Sequence, residues 1–588
     1  MTNTEITNIL ALMTKLLELD NGNPFRIRAY ERALQTLAGI THNIADMTPG
    51  ELKQIPGIGP GIQTHIREII STGTMRELET LKAKYPKGVL EMLEIGGLGP
   101  KRVAIVFNKL KIDSPKALRS AAVSGKLSAL DGFGHKLEEN IIRGVDLAQT
   151  QAHRIDIWQA KIISRALLEQ VKKIKNVSKV EIAGSLRRGK ETVGDLDILC
   201  VSNNGGKVIK DFTKLSCVER ILAAGQTKAS VQLKRGIQCD LRVVPKESLG
   251  AALMYFTGSK QHNIALREHA LKLGYTINEY GLFKIDTGCK MSDAGKKKKK
   301  SRKIAGKTEK EAYKALGLEW IPPELRESTG EIEAAKKHCL PKLVTLKDIR
   351  GDTHNHTVHS DGSNTIEEMI GAAIKKSWEW VLIGDHSEGL KVANGVSRDD
   401  LAESIIKIRK LNKKYADIEA LRGMEVEIHK DGSLDYSDKE LTEIDCVIGA
   451  VHSGFKMSQP EMTSRIERAI ESGHVDMIAH LTGRKMPNRE GYQINIESIL
   501  KLCAQTNTAL EINGQPERQD LIWQYAKRAK ELGVKIALST DAHSISQLDY
   551  MEVAVTVARR AWLEKKDILN CLSAKEIKDW LKNHKKKG

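Results

Sequence analysis

The sequence predicts a multidomain α/β protein. Three observations carry that prediction: the length of 588 residues, an uneven distribution of charge, and a change from glycine-punctuated helical patterns at the front to alternating strand and helix patterns at the back. A chain this long exceeds what one hydrophobic core usually serves, so three or more domains are expected. The net charge is +18, and its excess lies before residue 341: residues 1–340 hold 56 Lys and Arg against 37 Asp and Glu, while residues 341–588 hold 37 against 38. A polyanion partner such as DNA accounts for that asymmetry, because each cation that neutralises a phosphate releases counterions. A solvated basic surface is the plainer alternative. No apolar run reaches the roughly 18 residues of a membrane span, and "MTNTEITNILALM" lacks the basic flank of a signal peptide, so a cytoplasmic protein is expected. Eight cysteines occur without a CxxC pair, which predicts reduced packing residues rather than zinc ligands.

Three stretches at the front repeat one pattern. "IPGIGPGIQTHIREII", "IGGLGPKRVAIVFNKL" and "LDGFGHKLEENIIRGV" each run from an apolar residue through GxG into a helix. Ile62, Ile66, Ile69 and Ile70 predict one apolar helical face, as do Val103, Val106, Phe107 and Leu110. Gly57 and Gly59, Gly97 and Gly99, and Gly132 and Gly134 allow a tight turn that leaves helix N-terminal amides open to a phosphate. A single copy would be read as a helix-turn-helix corner. Three copies on a basic segment resemble helix-hairpin-helix motifs, a sequence-independent grip on DNA. Further on, "GKKKKKSRK" at 295–303 predicts a loop, and "IPPEL" and "CLPKL" predict a linker.

The stretch "VEIAGSLRRGKETVGDLDILCV" at 180–201 reads as strand, phosphate turn, strand. Asp195 and Asp197 stand two apart, which places both carboxylates on one face of a strand while Leu196 and Ile198 pack on the other. A third carboxylate, Asp240, lies in strand-like "CDLRVV". Three converging acids need cations, and two divalent ions about 4 Å apart are a common solution for in-line phosphoryl displacement. An exposed acidic strand edge would explain "DLD" alone, but not "GSLRRG" before it. Ser185, Arg188 and the Gly194 amide are the donor types a triphosphate requires. No GxxxxGK[ST] loop offers another nucleotide grip.

"GSLRRGKETVGDLD" resembles the active-site signature of the family X DNA polymerases, the polymerase beta group, and "YFTGSKQHNIALREHA" at 255–270 resembles their nucleotide-selection segment. The resemblance covers roughly residues 1–320 and implies a palm and a thumb. It implies that Asp195, Asp197 and Asp240 hold Mg²⁺ or Mn²⁺, and that Arg154, Gly184, Ser185, Arg188 and Gly194 contact the incoming nucleotide. Tyr255, Phe256 and Gly258 would form a steric gate against a ribose 2′-hydroxyl, and Asn263 and Arg267 would probe the minor-groove side of the new base pair. Several positions depart from the family's pattern. His65 stands where its lyase enzymes place a Schiff-base lysine, and imidazole cannot form that imine, which implies weak or absent deoxyribose-phosphate lyase activity by this route. Gln238 stands where relatives often have arginine, and Lys260 replaces an acidic residue.

Beyond residue 340, "IRGDTHNH", "WVLIGDH", "LRGMEVEI", "CVIGAVH", "VDMIAH", "ALEIN" and "VKIALSTDAH" each end in or near a polar residue able to bind metal, with helix-like stretches between most of them. This alternation predicts a β/α barrel whose strand ends converge on one mouth. His354 and His356 stand two apart, as do Asp541 and His543; with Asp361, His386, Glu425, His452 and His480 they give nine donors, suited to a cluster of two or three ions. This half resembles the PHP domain, a metal-dependent phosphoesterase on a distorted (β/α)7 barrel, over roughly 345–580. The resemblance implies a Zn²⁺ and/or Mn²⁺ cluster that activates water against a phosphodiester. His359 is expected at the surface or behind the ligands.

The expected organisation is a helix-hairpin-helix domain over 1–88, a fingers-like hairpin region over 89–150, a nucleotidyltransferase palm over 151–250, a thumb-like nucleotide-selection domain over 251–325, a linker over 326–344 and the PHP domain over 345–580. The combined expectation is a gap-filling repair polymerase with an attached 3′–5′ exonuclease, acting as a monomer on gapped or primed double-stranded DNA with dNTPs and no membrane. Three other readings stay open at this point. One is a template-independent nucleotidyltransferase. A second is a DNA-binding scaffold with a structural barrel. The third, a small-molecule phosphatase, leaves the first 340 residues without a role.

Overall fold

The computed structural model describes residues 3–37, 44–55, 57–93, 95, 98–128, 154–285, 302–486 and 489–585, with isolated positions between 130 and 145. Gly97, Gly132, Cys289 and most of the lysine run at 295–303 lie outside the described residues. The chain forms two compact units, residues 1–155 with 209–241 and residues 156–208 with 242–588.

The first unit is largely helical. Its helices run Asn3–Leu19, Pro24–Leu37, Pro49–Gln54, Pro60–Thr72, Arg76–Ala83, Lys87–Met92, Pro100–Leu110 and Pro115–Val123. The expected apolar faces form: Ile62, Ile66 and Ile69 are buried with Ile70 packed beside them, and Val103 and Val106 are buried with Phe107 and Leu110 against the same core. Gly59 and Gly99 are the N-caps of Pro60–Thr72 and Pro100–Leu110, each followed by a proline whose missing N–H would have had no helical partner. Residues 209–241 add an antiparallel pair, Val218–Ala224 with Lys228–Leu233.

In the second unit, helix Ile157–Lys172 buries Ile157, Ala160, Ser164, Leu167 and Val171, a three-to-four residue stripe. Strands Lys179–Ile182 and Asp195–Val201 pair antiparallel. Helices Leu249–Thr257 and Lys260–Lys272 lead to a three-stranded sheet of Tyr275–Asn278, Gly281–Lys284 and Lys303–Ala305. The segment expected as a linker over 326–344 is instead folded: it carries helix Glu331–Lys336 and the buried side chains of Arg326, Glu331 and Ala335. The prolines that suggested a linker turn the chain into this packed segment. His262 Nδ1 meets Glu331 Oε1 at 2.6 Å, and Glu331 also accepts the amides of Ser328 and Thr329.

A buried ion cluster ties this segment to the phosphate turn. Glu309 accepts both Arg187 Nη atoms at 2.7 Å and Arg326 Nη1 at 2.8 Å. Burial pushes its carboxyl up, but Arg326 and Arg187 outweigh burial and hold it down at about 2. Glu309→Gln would leave the buried Arg326 and the half-buried Arg187 guanidiniums without this counter-charge, at a cost of about 3 kcal/mol. Because the folded-state value is depressed, this contribution is complete above the ordinary glutamate value of about 4.3 and is lost as pH falls towards about 2. Calorimetry of wild type and variant should show the gap in melting temperature at pH 7 shrink below about pH 4.5; a gap that stays constant would contradict the assignment.

The rest of the unit is a barrel of seven parallel strands in sequential order: Gly351–Asp352, Trp380–Ile383, Glu419–Glu427, Cys446–Ala450, Met477–Ile478, Ala509–Asn513 and Ile536–Ser539. The first and last strands meet through the Asn355 to Ala542 bridge and the Asp541 N to His354 O bond of 2.9 Å. Helices such as Ile366–Lys375, Arg398–Lys414 and Ile496–Thr506 bury one apolar face against it. Of the cysteines, Cys200, Cys239, Cys446 and Cys503 are buried as expected, while Cys339 is exposed.

Candidate active sites

Asp195 and Asp197 lie on strand Asp195–Val201, anchored by the fully buried Leu196 and Ile198 between and beyond them. The turn before them holds Gly184 at φ +63°, and a Cβ there would come within 2.2 Å of Asp197 Oδ2. Only glycine leaves the carboxylate this space. Arg188 donates Nη1 to the Thr257 carbonyl and Nε to Glu327 at 3.1 Å. Tyr255 and Phe256 are half-buried and meet edge to face at 5.0 Å. Arg267 lies over Tyr255 at 5.2 Å, and Asn263 Nδ2 donates to the Tyr255 carbonyl at 2.7 Å. These contacts group the expected nucleotide-selection residues, and Gly258 adjoins Arg188 Nη1.

Asp240 belongs to the first unit, on strand Gln238–Val244, which runs across the boundary between the units. Its carboxylate meets Lys228 Nζ at 2.6 Å and accepts Gln238 Nε2 at 2.9 Å. The Lys228 ammonium thus supplies the positive charge that a metal would bring. Arg154 is exposed in the same unit. His65 shares a hydrogen bond with Tyr30 through Nδ1, and its Nε2 lies 3.7 Å from Glu77.

The barrel brings all nine expected ligands to the C-terminal ends of its strands. His354 and His356 follow the first strand, His386 the second, Glu425 ends the third with Glu427, His452 follows the fourth, His480 the fifth, and Asp541 and His543 the last. Glu425 is the centre. Its carboxylate lies 2.8 Å from His386 Nδ1, 2.8 Å from His480 Nε2, 3.2 Å from His452 Nε2, 3.3 Å from His354 Nε2 and 3.7 Å from His356 Nε2. Burial raises its pKa, yet His386, His354 and His452 together hold it well below the usual range. Burial and the neighbouring His386 push His356 down to about 4, so it is a neutral donor at physiological pH.

Three groups of these donors lie close enough together for one ion each: His356, Asp361, His386 and His543; His354, His356 and Asp541; and His386, Glu425 and His452. His354 Nε2, His356 Nδ1, His452 Nε2 and Glu425 Oε2 are buried without a hydrogen-bond partner. Orphaned ring nitrogens packed around a carboxylate fit a metal cluster and fit no apolar core.

The supporting residues were not legible as such. Glu511 accepts from His354 Nδ1 at 2.8 Å and Glu427 from His452 Nδ1 at 2.8 Å, fixing each ring so that its other nitrogen faces the cluster. Asp385 receives the Thr357 amide and Arg422 Nη1, and Arg518 approaches Asp541 at 3.4 Å. Glu427 stands two residues beyond Glu425 on the same strand, a spacing visible in the sequence. His359 is outside the cluster, its amide donating to Thr357 Oγ1. The mouth opens into a pocket lined also by Phe455, Lys485, Arg489 and Arg518.

Hairpin helices, a strand with paired aspartates beside a glycine turn, and a histidine-lined barrel define the class of DNA-binding proteins that carry out divalent-metal-dependent phosphoryl transfer. Family comparisons agree: residues 1–75 match a helix-hairpin-helix domain, 89–146 a SAM-like helix-hairpin-helix tandem, 154–239 the DNA polymerase beta palm, 252–327 the DNA polymerase beta thumb and 352–515 the PHP domain. The chain is 36% identical over 582 residues, 99% of both chains, to DNA polymerase/3′-5′ exonuclease PolX of Bacillus subtilis (strain 168). A probable phosphatase of Thermoanaerobacter sp. (strain X514) is 32% identical over 250 residues, 40% of this chain and 96% of that protein. DNA polymerase lambda of Arabidopsis thaliana is 24% identical over 346 residues, 54% of this chain and 61% of that protein. The chain belongs to the family X DNA polymerases that carry a C-terminal PHP domain. Among the described residues no helix is long and apolar enough to cross a membrane.

Proposed function

We propose that the chain fills gaps in DNA during repair by template-directed nucleotidyl transfer at Asp195, Asp197 and Asp240, and that its barrel removes nucleotides from 3′ ends. The observation that carries the second half is the barrel's complete donor set with its orphaned ring nitrogens, which a purely structural barrel would not maintain. The first half rests on the paired aspartates beside the glycine-dependent turn.

The three aspartates would hold Mg²⁺ or Mn²⁺, and the nine barrel donors Zn²⁺ and/or Mn²⁺. Bound ions would neutralise developing phosphate charge at both places, and at the barrel donors they would supply a water acidic enough to attack at neutral pH. The chain's own groups do the rest. Ser185, Arg188 and the turn amides would receive the triphosphate, and Tyr255 with Phe256 would crowd a 2′-hydroxyl. Glu511 and Glu427 keep His354 and His452 in the tautomer that faces the mouth. Lys485, Arg489 and Arg518 line the pocket with positive charge suited to a phosphodiester strand. The hairpin glycines would grip backbone phosphates on either side of a gap, with the protein acting as a monomer.

A labelled gapped duplex, followed in Mn²⁺ with and without dNTPs, tests both halves: templated extension is expected with dNTPs and stepwise 3′ shortening without them. Extension that ignores the template would instead mark a template-independent transferase.

A further inference from the structure

The phosphate turn of the polymerase site does not stand alone: the barrel holds it. Within the second unit, Gly189 of the turn packs so closely on helix Met551–Arg560 that a Cβ would come within 2.3 Å of Thr556 Cγ2. Arg560, 2% exposed, donates Nη1 to the Arg188 carbonyl at 2.9 Å and to Glu327 at 3.1 Å. Two residues after Gly189, Glu191 pairs with Arg484 at 3.2 Å, and its carbonyl accepts Gln519 Nε2 at 3.0 Å. Arg484 is itself fixed by the carbonyls of Arg518 and Gln519, at 2.7 and 2.6 Å. The stretch from Arg188 to Glu191, the trailing part of the turn, is therefore seated on side chains of the barrel.

Glu327 adds a second effect. It is shared by Arg188, Lys190 and Arg560, at 3.1, 3.4 and 3.1 Å. Burial raises its pKa, but Arg560, Lys190 and Arg188 hold it below the ordinary range. A triphosphate would compete with this half-buried carboxylate for Arg188. With Arg560 in place, Glu327 keeps two cations, Arg560 and Lys190, when Arg188 is drawn to a phosphate. Without Arg560, Glu327 would retain Arg188 more strongly, in competition with the nucleotide.

We infer that Arg560 and Arg484 of the barrel are positioning residues for nucleotide binding at the polymerase site. They seat the phosphate turn, and Arg560 frees Arg188 for the incoming phosphates. The inference rests on the reading of Arg188 as a phosphate contact.

The test is single-nucleotide extension of a gapped duplex at saturating DNA, titrating the dNTP in Mg²⁺, for wild type, Arg188→Ala, Arg560→Ala, Arg560→Lys and Arg484→Ala. Arg560→Ala is expected to raise the KM for dNTP at least about tenfold with kcat changed less than about threefold, in line with loss of a charge-assisted contact. Arg484→Ala should raise KM about fivefold, and Arg560→Lys should recover most of the loss. Equilibrium dNTP binding in Ca²⁺ should show the same ratios, and 3′ shortening without dNTPs should stay within about twofold for Arg560→Ala. An unchanged KM in both alanine variants overturns the inference. So does a joint fall of KM-independent rate and 3′ shortening, which would make Arg560 a residue of the fold alone. If Arg188→Ala leaves KM unchanged, the phosphate reading of Arg188 fails first, and this inference falls with it.

Discussion

Asp197→Ala should lower primer extension on a gapped duplex by about a hundredfold to a thousandfold, the scale seen when a preorganised charge is removed from a reacting centre. The strand should survive the change. Leu196 and Ile198 on its other face are fully buried, and Ile182 pairs with Ile198 in the adjoining strand. What disappears is one of two like-facing carboxylates next to the turn, in the space that Gly184 leaves open. Extension gels with dNTPs report the loss, and 3′ shortening without dNTPs should persist within about twofold, since no barrel ligand is touched. Loss of both activities would mean that the two centres are not independent. Retention of extension would remove Asp197 from the reaction.

The second large effect is expected at the barrel's centre. Glu425→Gln keeps the shape of the side chain but takes away the charge that faces five imidazoles within 3.7 Å. An amide presents one oxygen, and its NH2 would be turned towards ring nitrogens that need a cation. Elemental analysis of the purified protein should therefore find fewer bound ions than in wild type. 3′ shortening in Mn²⁺ should fall by at least about a hundredfold, while templated extension continues. Shortening at the wild-type rate would show that the barrel is a scaffold, or that its substrate is not a DNA 3′ end.

The clustered donors were readable because residues two apart in an extended chain share a face, as His354 and His356 do with rings 4.9 Å apart, whereas Asp541 and His543 converge through a left-handed backbone at Asp541, φ +47°, that their spacing does not reveal. The barrel was legible for a related reason, since each strand runs into a polar residue at or just beyond its end that an apolar core would exclude. Glu511 and Asp385 were not, because a carboxylate that orients a histidine from a neighbouring strand has no fixed distance from it along the chain; Glu511 and His354 are 157 residues apart. The segment over 326–344 was misread because its prolines and charges look like surface. Its Glu331 and Arg326 are buried only through His262, Tyr313 and Glu309, partners set by tertiary contact. Glycine patterns located the hairpins, but they could not say which of their amides face outward.

Glu191 and Arg484 lie 293 positions apart in the chain. The pair ties distant stretches of one chain into a single seam. An exchange of barrels between relatives should therefore keep full dNTP affinity only where the incoming barrel brings an arginine and an amide to the positions of Arg484 and Gln519. A barrel without them would still extend a primer, but with a raised KM, so the modularity of the two enzymes is partial.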